Sequence, residues 1–315
     1  MSDYRTHIIL NPTSGAGKTE AKSSEILRLI KHRVGESFSL HITRSSLDAT
    51  HSAAEAIQRG CELLIAVGGD GTIQEVVNGF FSNGQLLNPD CKIGIINCGT
   101  GHGFAQSLGL PSSIESQVEL LKRGQSRLID VGRVKYRNDR GETCYRYFVN
   151  ESQLGIGASV VERVQGSQKR LGGSLAFGIG ALKAIFRHKS QSMMLILDEK
   201  EVIEGLLTGV VVANGAFMGG GMNLAPTARL DDGKLKVLVM HDLSLAQRLW
   251  NFPKIYFGTH LSSPLFGYHE ARSLTVCSEE RAFVEADGEM LGTTPCHIEV
   301  IPSAIKVQSI SLNGE

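Results

Sequence analysis

Short apolar runs alternate with amphipathic stretches through the first part of the chain. His7–Leu10, Phe38–Thr43, Leu63–Val67 and Lys92–Asn97 read as strands. Between them, about Lys18–His32 and Ala49–Arg59 carry a helical period, and Ile73, Val76, Val77 and Phe80 continue it after the third strand. Strand and helix in alternation predict an open, largely parallel α/β sheet, and each strand ends in a loop rich in Gly, Thr, Asn or Ser. Ligands of such sheets bind outside the carboxyl ends of the strands. Beyond Ile129 the texture changes to short β-like runs: Tyr145–Asn150, Met193–Asp198, Leu207–Ala213, Leu235–Met240, Leu274–Ser278 and Phe283–Ala286. Two helical patterns, about Ser174–Phe186 and Leu245–Phe257, interrupt them. That spacing predicts a β-rich, sandwich-like second domain. A last strand, Ile305–Leu312, returns to the first domain, giving domains 1–130 plus 305–315 and 131–304.

Composition changes this picture little. The chain has 315 residues, enough for two cores, with 42% hydrophobic and 20% charged residues. A formal net charge of zero argues against a nucleic-acid partner. Six cysteines without a Cys-x-x-Cys pair read as reduced core residues. Met1–Arg5 is polar and no apolar stretch is long enough to span a bilayer, so the expected location is cytoplasmic or peripheral at a membrane surface. Oligomeric state stays open, a homodimer included.

The chemistry lies in three glycine-rich loops. Gly68-Gly69-Asp70-Gly71-Thr72 joins the third strand to the helical pattern. Glycines there let main-chain N–H groups approach a phosphate, and the helix N-terminus adds a favourable dipole. Asp70 faces either Mg²⁺ and a transferring phosphoryl group, or simply caps the helix. Asn11-Pro12-Thr13-Ser14-Gly15-Ala16-Gly17-Lys18 follows the first strand, but Pro12 stands where a P-loop needs its first glycine. Asn97-Cys98-Gly99-Thr100-Gly101-His102-Gly103 follows the fourth. Three such loops on successive strand ends point to a nucleotide.

In this order the motifs resemble the diacylglycerol kinase-like lipid kinases, a family that includes bacterial lipid kinases and sphingosine and ceramide kinases. Asn11–Gly15 looks like its opening Asn-Pro-x-Ser-Gly loop, Gly68–Thr72 like its GGDGT, and Gly99–Ala105 like its Gly-Thr-x-Asn-Asp-Phe-Ala loop. Ala213-Asn214-Gly215, Gly219–Met222 and Leu230–Gly233 resemble its second-domain turns, and Asp287-Gly288-Glu289 its late acidic motif. The resemblance implies an NAD kinase-like α/β domain, a β-sandwich-like lipid domain, and ATP-dependent phosphorylation of a lipid hydroxyl in a cleft between them. It implies ATP contacts at Asn11, Pro12, Thr13, Ser14, Gly15, Thr43, Gly69, Asp70, Gly71, Thr72, Ile73, Gln74, Glu75 and Thr100. It places Asp287 and Glu289 at the hydroxyl, one as proton acceptor, and Asp70 on the phosphates through Mg²⁺ or water. A structural Mg²⁺ is implied in the Arg229–Lys234 turn, held by the Asp232 carboxylate and the carbonyls of Arg229 and Lys234, although an ordinary Asp-Gly turn would read the same.

One departure stands out: His102-Gly103 replaces the family's Asn-Asp, removing an acidic neighbour of Asp70. The alternatives are an NAD kinase, which shares GGDGT and an Asn-Glu pair like Asn150-Glu151, or a catalytically altered nucleotide- or lipid-binding regulator. Which lipid is phosphorylated is not legible. The helical patterns near Leu175–Phe186 and Leu245–Tyr256, with Lys169, Arg170 and Lys183–Lys189, are the expected membrane contacts, though most of their apolar residues would equally suit a core.

Overall fold

A computed structural model describes residues 5–138, 140–167 and 185–309. The chain forms two units, Met1–Asp130 with Ser303–Glu315, and Val131–Pro302. The return segment begins slightly before the expected 305, where the Ser303 amide already donates to Asp130 Oδ1 at 2.7 Å.

The first unit holds strands β1 (Thr6–Leu10), β2 (Ser39–Ile42), β3 (Leu63–Gly68), β4 (Phe81–Ser82), β5 (Gln85–Leu86) and β6 (Lys92–Asn97). Its helices are α1 (Lys18–Arg33), α2 (Asp48–Gln58), α3 (Asp70–Asn78), α4 (Gly103–Leu108) and α5 (Ile114–Arg123). The main sheet runs β6-β3-β1-β2, all parallel, and Lys306–Val307 extends it beside β6. β3 and β6 are buried almost throughout because helices cover both faces of a parallel sheet. Ile26 and Ile30 of α1 and Val118 and Leu121 of α5 pack on Ile8, Leu10, Ile65, Val67 and Ile96. The hydrophobic pattern did not foretell α4 or α5.

The second unit is antiparallel. Residues 132–137 of β7 (Ser126–Arg137) pair with β8 (Thr143–Phe148); β9 (Glu151–Gly155) and α6 (Ile156–Ser167) follow. Then come β10 (Gln191–Leu197), β11 (Glu201–Ala213), β12 (Phe217–Met218), β13 (Met222–Asn223), β14 (Leu235–His241), α7 (Leu245–Tyr256), β15 (Phe266–Ala271), β16 (Ser273–Ser278), β17 (Phe283–Ala286) and β18 (Glu289–Gln308). One path of strands is β15-β14-β11-β10-β16-β18, while β9 joins β11 to β17 and β17 forms a hairpin with β18. Their inner faces close on Val134, Phe148, Leu154, Leu195, Val210 and Val284. β9, β15, α6 and the length of β18 were missed from the pattern. Residues 174–184 of the expected Ser174–Phe186 helix and the basic residues Lys169, Arg170 and Lys183 lie outside the described residues. Among the described residues no helix is long and apolar enough to cross a membrane.

Candidate active site

The three glycine loops of the first unit lie at the carboxyl ends of β1, β3 and β6 and are bonded to one another. Asn11 does most of this. Its Oδ1 accepts from the Thr13 amide at 3.0 Å and the Thr13 hydroxyl at 2.8 Å, and its Nδ2 donates to Thr72 Oγ1 at 3.0 Å. Asn11 therefore ties its own turn to the GGDGT turn. Pro12 is partly exposed and Thr13 is exposed. Ser14 Oγ donates to the Asn11 carbonyl at 3.1 Å and pairs with Thr19 Oγ1 at 2.5 Å. Gly15 is left-handed (φ +61°), and a Cβ there would lie 2.4 Å from the Cys98 carbonyl oxygen. A Cβ on Gly69 would sit 3.1 Å from the Gly99 Cα. Only glycine permits backbones to run this close.

Asp70 opens α3, and its Oδ2 accepts from the Gly103 amide at 3.1 Å. That bond ties the GGDGT turn to the start of α4, at the very place where the family's acidic residue is missing. Its Oδ1 is buried and has no hydrogen-bond partner among the described residues. Burial raises the Asp70 pKa, opposed by the amides of Gly103 and Phe104 and by nearby His102. A buried, unpaired carboxylate oxygen fits a water or a hard cation that arrives with a ligand. Gly71 and Thr100 are exposed, and Thr43, at the end of β2, is half-buried. Ile73 and Gln74 are fully buried, so the expected ATP contacts narrow: those two support the turn from inside. Thr72 spends its hydroxyl on Asn11, and the Glu75 carboxylate accepts from the Ala49 amide at 3.2 Å.

In the second unit, Asp287 and Gly288 make the β17–β18 turn with φ of +46° and +83°, a geometry that Asp-Gly suits. The Asp287 carboxylate accepts three main-chain amides, Val149 at 2.8 Å, Asn150 at 3.1 Å and Glu151 at 3.0 Å. The resemblance put Asp287 at the reacting hydroxyl; its oxygens instead hold the bend between β8 and β9. Glu289 is the partly exposed carboxylate of the pair, and its Oε2 accepts from Arg146 Nη2 of β8. Two residues the sequence reading missed stand beside them. Arg146 gives no signal, because it is far from Glu289 along the chain. Glu285 does give one, as a charge inside the strand pattern Phe-Val-Glu-Ala. It is fully buried, takes the Gly288 amide on Oε2 at 2.8 Å, and its pKa is pushed up to about 8, chiefly by burial.

The Arg229–Lys234 turn is dense in charge. Asp232 Oδ1 accepts from the Lys234 amide at 3.0 Å, and Oδ2 lies 3.5 Å from the buried Lys236 ammonium. Glu270 bonds Lys234 Nζ at 2.7 Å and also Lys236 Nζ, which holds its own pKa down at about 2. Asp231 pairs with Arg229 at 3.3 Å. One carboxylate and two peptide carbonyls suit Mg²⁺ by ligand type. Lys236, however, already supplies positive charge to the same carboxylate. Among the described residues no group of three His, Cys, Asp or Glu side chains could hold a metal.

Residues 5–134 match the diacylglycerol kinase catalytic domain, and residues 151–309 match the YegS C-terminal NAD kinase beta sandwich-like domain. A diacylglycerol kinase of Bacillus subtilis (strain 168) is 30% identical over 292 residues, covering 92% of this chain and 91% of its own. The chain belongs to the diacylglycerol kinase-like lipid kinase family. It is a kinase, a phosphotransferase, and its fold recurs in solved relatives. A structure of a diacylglycerol kinase from Bacillus anthracis str. Sterne superposes with a TM-score of 0.70 at 20% identity, over 98% of both chains. Yeast NADH kinase, complexed with NADH, superposes with a TM-score of 0.55 at 12% identity, over 99% of this chain and 85% of its own. Membership of a kinase family implies a nucleotide and a lipid as substrate classes.

Proposed function

We propose that this kinase transfers the γ-phosphoryl group of ATP to the hydroxyl of a diacylglycerol-like lipid. The observation that carries this reading is the bonding of the three glycine loops around Asp70, whose Oδ1 has no partner among the described residues. The exposed residues Thr13, Gly71 and Thr100, with Ser14 and Gly15 beside Thr13, would receive the phosphates, and Thr43 would flank the nucleotide. Asp70 Oδ1 would hold the Mg²⁺ that accompanies the nucleotide substrate, directly or through water, and that ion would supply charge neutralisation at the phosphates. The lipid oxygen's lone pair forms the new bond to phosphorus, the bond to the bridging oxygen of ADP breaks, and ADP keeps that electron pair. The hydroxyl proton passes to Glu289, late in the step because an alcohol is a far weaker acid than a carboxylic acid. Asp287 holds the turn that carries Glu289. A structural Mg²⁺ at the carbonyls of Arg229 and Lys234 and the Asp232 carboxylate remains part of the proposal, and it would order the turn without entering the reaction.

Peripheral membrane contact belongs to the same reading. Trp250 and Phe257 are 73% and 78% exposed, Leu245, Leu249 and Tyr256 are also exposed, and Lys254 lies 5.6 Å from the Trp250 ring. Apolar and basic groups on one surface helix suit an anionic lipid surface. Co-sedimentation with anionic liposomes should fall in a Trp250→Ser, Lys254→Glu variant; unchanged binding would remove this helix from the contact.

Transfer of label from γ-labelled ATP to a panel of lipids in mixed micelles, with NAD in a parallel tube, tests the activity. Labelled diacylglycerol-type product is the expected outcome. Labelled NADP would replace the reading with an NAD kinase, and nucleotide binding without any product would leave a regulator. Glu289→Gln should lower turnover by roughly 10²- to 10⁴-fold with ATP binding retained, the usual worth of a general base.

A further inference from the structure

Arg146 and Glu289 stand far apart in sequence, yet their side chains meet in the second unit. Arg146 lies on β8, where it pairs with Val134 of β7, and Glu289 opens β18 directly after the Asp287-Gly288 turn. The Arg146 side chain is 12% exposed and that of Glu289 29%, so the pair sits at the edge of solvent with its cation mostly covered. The bond is specific to one oxygen: Arg146 Nη2 donates to Glu289 Oε2, while Oε1 takes no hydrogen bond among the described residues. Tyr136, on the strand beside Arg146, is near enough to feel both charges. A planar guanidinium holds a carboxylate in one orientation better than an ammonium can.

Taking Glu289 as proton acceptor, as in the proposed reaction, we infer that Arg146 is its positioning residue, fixing the carboxylate through Oε2 so that Oε1 receives the hydroxyl proton. Glu289 sits one residue past a turn built on two left-handed residues, and the turn itself is held by the three amides on Asp287. Those bonds fix the main chain of the turn. They leave the rotamers of the Glu289 side chain to be set by something else, and Arg146 is the group bonded there. Without it the carboxylate would swing among rotamers and meet the hydroxyl in the right orientation only part of the time. Misplacement by about 1 Å can cost on the order of 10²-fold in rate.

The test is a cycle of Arg146→Gln, Arg146→Lys, Glu289→Gln and the Arg146→Gln, Glu289→Gln pair, with melting curves to confirm folding. Arg146→Gln should lower kcat by roughly 10²-fold with KM for ATP and lipid unchanged. Arg146→Lys should recover part of that loss, and Arg146→Gln should cost nothing further once Glu289 is Gln. If Arg146→Gln has wild-type kcat while Glu289→Gln is inactive, the positioning role is overturned and the proton acceptor stands. If the two losses multiply, Arg146 acts on its own, for instance on the phosphoryl group, and the inference is again overturned. A fully active Glu289→Gln would overturn the assigned acceptor, and Arg146 with it. One readout needs no turnover: a crystal structure of Arg146→Gln should show the Glu289 carboxylate turned from its wild-type orientation, and an unmoved carboxylate would refute the inference even if the lipid substrate had been wrongly chosen.

Discussion

Single residues here hold jobs that their motifs do not announce. Asn11 reads as a ligand in an Asn-Pro-x-Ser-Gly loop, but its amide spends both ends on Thr13 and Thr72. Asp287 reads as a carboxylate at the reacting hydroxyl and is taken up by three main-chain amides. Asp70 divides its carboxylate, one oxygen on the Gly103 amide and the other without a partner among the described residues. Asp70→Asn keeps an acceptor for Gly103 but loses the anion, so melting temperature should hold while kcat falls by about 10²- to 10³-fold, a typical cost for one lost electrostatic contact to a developing charge. Unchanged kcat would confine Asp70 to capping. Lys236 competes with any metal for Asp232, so Lys236→Met should raise the affinity of the turn for Mg²⁺. A melting temperature that responds to Mg²⁺ or chelator more strongly in the variant than in the wild type is the expected result.

At the scale of elements, the loops matter as a set because their main chains touch. A Cβ on Gly99 would lie 2.6 Å from the Gly69 Cα, so Gly99→Ala must part the β3 and β6 loops. Overpacking of this kind costs about 1–3 kcal/mol, and here it falls on the surface proposed to receive the phosphates. Nucleotide affinity should drop more than global stability does, as calorimetric titration beside a melting curve would show. The β17–β18 hairpin is the matching device in the second unit. Its Asp-Gly turn, the Glu285 acid beneath it and the Arg146 pair beside it set where Glu289 points. The glycine spacing made the loops legible, since few residues tolerate such turns. The hairpin's neighbours were not, because β8 and β9 reach it through pairings distant in sequence.

Across the whole molecule, two buried groups, one in each unit, should answer pH in opposite directions. Glu285 has a folded pKa raised from 4.5 to about 8, so the folded state binds a proton that the unfolded chain releases. Its contribution to the second unit is complete below about pH 4.5 and is lost as pH rises toward 8, by up to about 1.4 kcal/mol per pH unit. His7 in the first unit is lowered from 6.5 to about 4, mainly by burial, with its ring between Ser39 and Ser52. Its contribution is complete above 6.5 and is lost as pH falls toward 4. Hydrogen exchange followed separately in each unit should therefore show the first loosening in acid and the second in mild base. Glu285→Gln should flatten the alkaline trend; a second unit indifferent to pH between 4.5 and 8 in the wild type would contradict the buried acid.

Local rules carried the reading where the physics is local. Hydrophobic period and glycine turns marked β1, β3, β6, α1 and the glycine loops, because a buried parallel strand and a tight strand-to-helix turn each constrain neighbouring residues directly. The ordered motifs then disclosed the kinase family. Folding alone decided which carboxylates are available. Asp287, Glu285 and Glu289 lie within five residues, yet one is bonded to amides, one is buried as an acid and one faces solvent beside Arg146. That division depends on burial and on partners up to 143 residues away along the chain, and no spacing in a linear sequence encodes it.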